Sequence, residues 1–377
     1  MKNLFRNALL RKMCDTVGHW YVGNEGRIPL CLKKERKTEG DVSAEPSHNP
    51  NLSRTVINRL KKFINRFIYA RKIQTLDLVG LNTTWNLLED EASRETLVTI
   101  MAFRLMGSLR IYLPLNEAKY WKEVPLIEEN QDTEDSIQVP LVQPLRKTNL
   151  QCIDLDVCLY TTAMSACVEF IHKQYEYCSE SVRIKVESGD IVLDCGACYG
   201  DTALFFALSA GETGKVYSFE CIRENMQIMR KNLELNPRLA NSIQIVDRAL
   251  SDKSDEILSF CVLGAGSFSS ERWKRDTQGM EQVTATTAAI DDFMYSEHLP
   301  RVDFIKMDIE GAELSALQGA EKTIRTFKPK LAICVYHKTE DFVQIPDFLH
   351  RIVPEYHFYL KHCSICQEET VLFATVD

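Results

Sequence analysis

From residue 189 onward, short apolar runs alternate with stretches of helical period. Ile191, Val192 and Leu193 form the first run, of the kind buried on both faces of a sheet. A loop with Gly196 and Gly200 follows at once, and Asp201 and Thr202 are suitable caps for the amphipathic helix after it. This is a strand, loop and helix unit of the Rossmann type. Further strands are expected over 215–220, 242–250, 302–310 and 330–338, with helices over 222–237, 312–327 and 347–352 between or after them. Two apolar segments, 357–363 and 370–376, close the chain as a tight pair. Such alternation predicts an α/β fold: a mostly parallel seven-stranded sheet with helices on both faces and an antiparallel edge strand.

The first 150 residues have a different pattern. Residues 23–51 are polar and rich in Gly, Pro and charge, as a flexible segment would be. Leu52, Val56, Ile57, Leu60, Phe63, Ile64, Phe67 and Ile68 then recur at helical spacing, with Arg59, Lys61, Lys62, Arg66 and Arg71 mostly on the other faces. This basic amphipathic helix, residues 52–72, either docks on the body of the protein or makes weak contact with an anionic membrane surface. Helical pattern resumes from 84 to 124, residues 128–140 read as an acidic linker of low order, and 152–160 alternate like an edge strand. Three segments result: a basic, partly disordered stretch over 1–75, a helical extension and linker over 76–150, and the α/β domain over 151–377.

Composition narrows the class. With 45% hydrophobic and 26% charged residues the chain reads as an ordinary globular protein. No apolar run nears the ~20 residues a bilayer needs, and charge interrupts the first 14 residues too often for a signal peptide. Thirteen cysteines without a repeated spacing imply free thiols and a cytoplasmic location. The net charge of −8 is uneven: residues 1–75 carry 16 Lys and Arg against 6 Asp and Glu, and the rest is strongly acidic. An acidic catalytic part opposes nucleic-acid binding. Nothing in the pattern indicates an oligomeric state.

The loop after the first strand points to the ligand. A dinucleotide site presents GxGxxG and bare backbone amides to a pyrophosphate, which an acidic side chain would repel. Here Asp194 stands at the strand end and the glycines are spaced differently. A carboxylate there suits a ligand with cationic groups, and S-adenosylmethionine carries an ammonium and a sulfonium. Glu220 ends the next strand where this fold hydrogen-bonds ribose hydroxyls. The expected cofactor contacts are Asp194, Cys195, Gly196, Ala197, Gly200, Asp201, Thr202 and Glu220, with Asp247, Arg248 and Ala249 flanking the adenine and Asp308 near the methyl group. Gln174 and Tyr175 pack nearby, and residues 264–270 form a candidate substrate wall.

The segments LDCGACYGDT, YSFE, NLELNP, RALSDKS, FIKMDIEGAELSALQGA and AICVYHK, in this order, resemble the FkbM family of methyltransferases over residues 170–377. Two positions depart from the family pattern, Cys221 where Pro is common and the Cys198–Tyr199 pair. The helical extension is similar to that of the longer bacterial members. The resemblance implies a class I methyltransferase fold and O-methylation of a hydroxyl on a sugar, glycan, glycolipid or natural product. Such an acceptor must lose a proton, so a general base is required. His337 at the end of the fifth strand is the first choice, Asp308 faces the methyl group and acceptor, and Glu310 or Glu313 positions the substrate.

No metal site is assigned. Cys195 and Cys198 lie in the ligand loop, and Cys363, Cys366 and His362 lack a fourth donor. A divalent cation on Asp308, Glu310 and His337 is the weaker alternative to a metal-free site. Competing readings are a non-catalytic binding or scaffold module and a methyltransferase acting on protein or another small molecule. A base methyltransferase would carry an Asn/Asp-Pro-Pro-aromatic motif where this chain has MDIEGAE.

Overall fold

A computed structural model of the chain describes residues 4–15, 71–108, 110–140, 143–269 and 281–376. The polar stretch over 23–51 and all but the last two residues of the expected basic helix over 52–72 lie outside these residues. Helix α1 (Leu4–Asp15) buries Phe5, Leu9 and Met13, which its four-residue spacing places on one face. It packs against α2 (Leu78–Leu87) and α3 (Glu91–Met106), capped by Asp77 and Asp90 whose carboxylates accept from the first free backbone amides. Helix α4 (Tyr120–Glu128) follows.

The expected acidic linker is instead a strand. β1 (Gln131–Ile137) pairs antiparallel with β2 (Leu145–Asn149), which pairs with β3 (Cys158–Thr161). The polar residues of β1 are satisfied across the sheet: Tyr160 Oη donates to Asp135 Oδ1 at 2.9 Å, and Lys147 lies 3.6 Å from Asp135. Cross-strand polar pairs of this kind are invisible to composition. The expected edge strand over 152–160 is realised only at its end, in β3, and this sheet crosses the boundary expected at residue 150.

The main sheet is built from β4 (Ile191–Cys195), β5 (Lys215–Phe219), β6 (Ile243–Val246), β7 (Phe304–Met307), β8 (Lys330–Cys334), β9 (His357–His362) and β10 (Thr370–Thr375). Their spatial order is β9-β10-β8-β7-β4-β5-β6, with β10, next to the edge strand β9, antiparallel to both neighbours. Helix α5 (Asp201–Ala210) follows β4 and α6 (Arg223–Leu235) follows β5. The order reverses between β4 and β7, which opens a crevice at their carboxyl ends.

Two expected elements are divided. The strand over 242–250 splits into β6 and Ala249–Leu250, which joins a smaller sheet with Ile257–Cys261 and Gln282–Ala288. The helix over 312–327 breaks into α7 (Glu313–Gln318) and α8 (Glu321–Phe327) at Gly319, where a Cβ would lie 2.2 Å from the Ser251 carbonyl oxygen. Helix α9 (Asp341–Ile352) precedes β9.

The extension seals the β9 edge. Glu89 N donates to Phe358 O at 3.0 Å, Leu360 N donates to Ser93 Oγ at 2.9 Å, and Thr84 Oγ1 donates to Phe342 O at 2.8 Å. An edge strand is thereby paired and covered. One apolar cluster runs from Phe5 on α1 to Leu372 and Ala374 on β10. Among the described residues no helix is long and apolar enough to cross a membrane.

Candidate active site

Gly196 and Gly200 hold φ of +87° and +83°, a region that favours glycine. A Cβ on Gly196 would fall 1.8 Å from the Asp308 carbonyl oxygen, and one on Gly200 2.6 Å from Met229 Cγ. Both glycines therefore let the loop close on neighbouring elements. Gly196 N and Ala197 N donate to Phe219 O at 3.0 and 2.9 Å, which ties the loop to the end of β5.

Beneath the loop lies a buried charge pair. Asp194 is fully buried, 3.1 Å from Lys306 Nζ, and accepts from Thr202 Oγ1 at 2.9 Å. Lys306, 1% exposed, also donates to Gly196 O at 2.7 Å and stands 5.3 Å from the centre of the Tyr175 ring. The cation that Asp194 meets is thus a lysine of β7, and the carboxylate sits behind the loop. Burial would lower the Lys306 pKa, but Asp194 and then Asp308 overcome it and raise the value, so the ammonium persists.

A cleft opens at the carboxyl ends of β4, β5 and β7. Of the expected cofactor contacts, Gly196, Glu220, Arg248, Ala249 and Asp308 line it, with Glu310, expected to position the substrate. Cys195, Ala197, Gly200, Asp201 and Thr202 stand with Asp194 among the residues behind that lining. Asp247 is exposed and turns to a neighbouring groove with Asp255, Asp292 and Glu297. The residues of the 264–270 wall that are described bring Gly264, Ala265 and Ser267 to the cleft.

Glu220 is 8% exposed. Its Oε1 accepts from Cys221 N and Ile222 N at 2.8 and 2.7 Å, Asn225 Nδ2 lies 3.4 Å from its Oε2, and the Cys198 backbone amide also donates to the carboxylate. Burial outweighs these donors and pushes the carboxyl up to about 7.

The opposite wall is acidic. Asp308 accepts from Tyr175 Oη at 3.0 Å and from Tyr336 Oη at 3.0 Å. His337 reaches three carboxylates: Nδ1 is 2.9 Å from Glu313, and Nε2 is 3.4 Å from Asp308 and 3.6 Å from Glu310. Burial alone would lower its pKa, but Glu313, with Asp308 and Glu310, raises it to about 10. An imidazolium has no free electron pair, so the ring must first release this proton to act as the expected base or as a ligand. Glu369, held by Gln174, is pushed up by burial and by Asp308. Arg104 of α3 donates to Tyr336 O and to Thr339 Oγ1 (3.2 Å), so the extension holds the segment that carries Tyr336 and His337.

Residues 194–363 match the methyltransferase FkbM domain. This segment is an FkbM methyltransferase domain. The crystal structure of methyltransferase FkbM from Methylobacillus flagellatus KT shares the fold at a TM-score of 0.50 and 20% identity, over 85% of this chain and 69% of that one. Aeropyrum pernix fibrillarin with natively bound S-adenosyl-L-methionine aligns at 0.32 and 13%, over 50% of this chain and 67% of its own. Precorrin-6y C5,15-methyltransferase from Geobacter metallireducens GS-15 aligns at 0.32 and 10%, over 51% and 81%. No curated protein matches the chain.

Several residues in and beside the FkbM domain escape sequence reasoning. Lys306 left a signal, a charge inside an apolar strand. Tyr336 left none beyond its neighbour His337. Glu169 is 4% exposed with Oε1 unpartnered, and burial, then Asp201, pushes its carboxyl well above the ordinary value. It lies in an apolar π-helical turn, Cys167–Ile171, where nothing in the pattern marks it. Among the described residues the cysteines are free thiols, and His362 is engaged with Thr370 Oγ1 at 2.8 Å.

Proposed function

We propose that the FkbM domain transfers the methyl group of S-adenosylmethionine to a hydroxyl oxygen on a sugar, glycan, glycolipid or natural product. The observation that carries this reading is the charge layout of the cleft. Glu220 stands at one end and Asp308 with Glu310 at the other, and among its lining residues Arg248 alone is cationic. A cleft of that kind favours a cationic cofactor over a pyrophosphate.

The residues present fit the group. The Glu220 carboxylate, with about four lone-pair sites and a long contact at Oε2, keeps acceptor capacity for ribose hydroxyls. Ile222, Leu250 and Phe260 supply apolar walls for adenine. When bound, S-adenosylmethionine supplies an electrophilic methyl carbon on a sulfonium. Asp308, fixed by the two tyrosines, orients the acceptor, and Glu310, 30% exposed and on the cleft wall, takes its proton. Much of the rate then comes from holding oxygen and methyl in line. A cytoplasmic setting belongs to the same reading, supported by an odd number of cysteines, thirteen.

The test is transfer of labelled methyl from S-adenosylmethionine into fractionated cell extract, with Glu220→Ala as the control. Label in a saccharide or glycolipid fraction, absent with the variant, is expected. Label in protein or nucleic acid would overturn the acceptor class, and absence of cofactor binding would overturn the whole reading.

A further inference from the structure

We propose that Asp308, Glu313 and His337 bind one divalent metal cation at the acceptor end of the cleft. One ligand atom from each lies within 4.8 Å of the other two, although they come from three elements: the end of β7, the start of α7 and the segment after β8. The sequence reading left this domain metal-free and placed the alternative cation on Glu310. The geometry puts Glu313 in that place.

A second observation points to a missing ligand. The His337 side chain is 5% exposed, yet neither ring nitrogen makes an aligned hydrogen bond. Glu313 Oε1 is near Nδ1 but off the line of its N–H bond, and Asp308 Oδ1 is 3.4 Å from Nε2. Glu313 is fully buried; its Oε1 accepts from Ile309 N at 2.9 Å and Gly311 N at 3.3 Å, and its Oε2 has no partner. Buried polar atoms in native proteins are nearly always satisfied. A His337 ring nitrogen and carboxylate oxygens of Glu313 and Asp308 within 4.8 Å of one another share one simple partner, a cation.

The donor set narrows the ion. Two carboxylates and one imidazole suit a first-row divalent cation such as Mn²⁺ better than Ca²⁺, which takes six to eight oxygens. Entry is from the cleft, which Asp308 lines at 19% side-chain exposure and Glu310 at 30%. Glu310 and Gly311, at φ of +54° and +86°, turn the chain so that Glu313 folds back under Asp308 while Glu310 stays on the wall. A cation here lowers the pKa of an acceptor hydroxyl, with Glu310 beside it to receive the proton. That role rests on the methyltransferase reading of the cleft; the binding site itself does not.

The experiment is Mn²⁺ binding by electron paramagnetic resonance on chelator-treated full-length protein without cofactor. One Mn²⁺ per chain is expected, bound at least about tenfold more weakly by Glu313→Gln and His337→Asn. Nitrogen coupling from one imidazole in the wild-type pulsed spectrum tests the same site without relying on a variant's fold. No uptake by wild-type protein at millimolar Mn²⁺, no nitrogen coupling, or equal affinity in folded variants would overturn the proposal. Calorimetry with S-adenosylmethionine in chelator separates the two readings. Cofactor binding without Mn²⁺ uptake rejects the metal alone, and Mn²⁺ uptake without cofactor binding rejects the cofactor reading alone.

Discussion

Lys306 sits between Ile305 and Met307 in a strand buried on both faces, and among the described residues its charge partner within hydrogen-bonding reach is the equally buried Asp194. Removing one member of such a pair leaves an uncompensated charge. Lys306→Met is expected to cost about 3–5 kcal/mol in urea unfolding, and adding Asp194→Asn to restore part of it. Unchanged stability of the single variant would show that the pair is not built as described. Glu220 makes the second prediction. Its folded pKa is raised to about 7 from 4.5, so its contribution to stability is present below 4.5 and lost as pH rises through about 7. Cofactor affinity runs the other way, because ribose hydroxyls donate to the ionised carboxylate. Calorimetry should find S-adenosylmethionine several-fold tighter at pH 8 than at pH 6, with the difference lost in Glu220→Gln. At this scale the strand-end acids were legible in the sequence because position along a strand is a local property. The partner of Asp194 was not, because Lys306 lies more than a hundred residues away and only the β4–β7 pairing brings it near.

The loop, the strands that carry it and the extension that braces it act as elements. Gly196→Ala places a methyl against the Asp308 backbone at a positive φ, so it should destabilise the chain and displace the end of β7. A melting temperature within a degree of wild type would contradict the close approach. Arg104→Ala removes the bonds from α3 to Tyr336 O and Thr339. Methyl transfer should fall roughly tenfold or more, since small misplacements of a catalytic wall are costly. Cofactor affinity should hold, because the Glu220 end of the cleft is untouched. The strands of the main sheet were readable from apolar runs that need no partner to be recognised. β1 was not, since its residues are polar and become a strand only by pairing with Lys147 and Tyr160. The break between α7 and α8 was hidden for a similar reason: Gly319 is tolerated in a helical pattern, and its contact with Ser251 is tertiary.

At the scale of the molecule, the extension and the FkbM domain share one apolar core, and the extension reaches the catalytic wall through Arg104. The general class was legible because the strand and helix alternation, the Gly loop and the strand-end acids agree. The layout of the site was less so: the cofactor's expected acid, Asp194, is a buried anchor, while Glu220 and the Asp308 wall face the cleft. The central claim is that this cleft holds the cofactor, and the crystal structure of the complex with S-adenosylhomocysteine tests it most directly. The ribose hydroxyls should lie on Glu220, the adenine against Ile222 and Leu250, and the sulfur toward Asp308. A molecule bound in the neighbouring groove beside Asp247 and Asp292, with Glu220 untouched, would contradict the account.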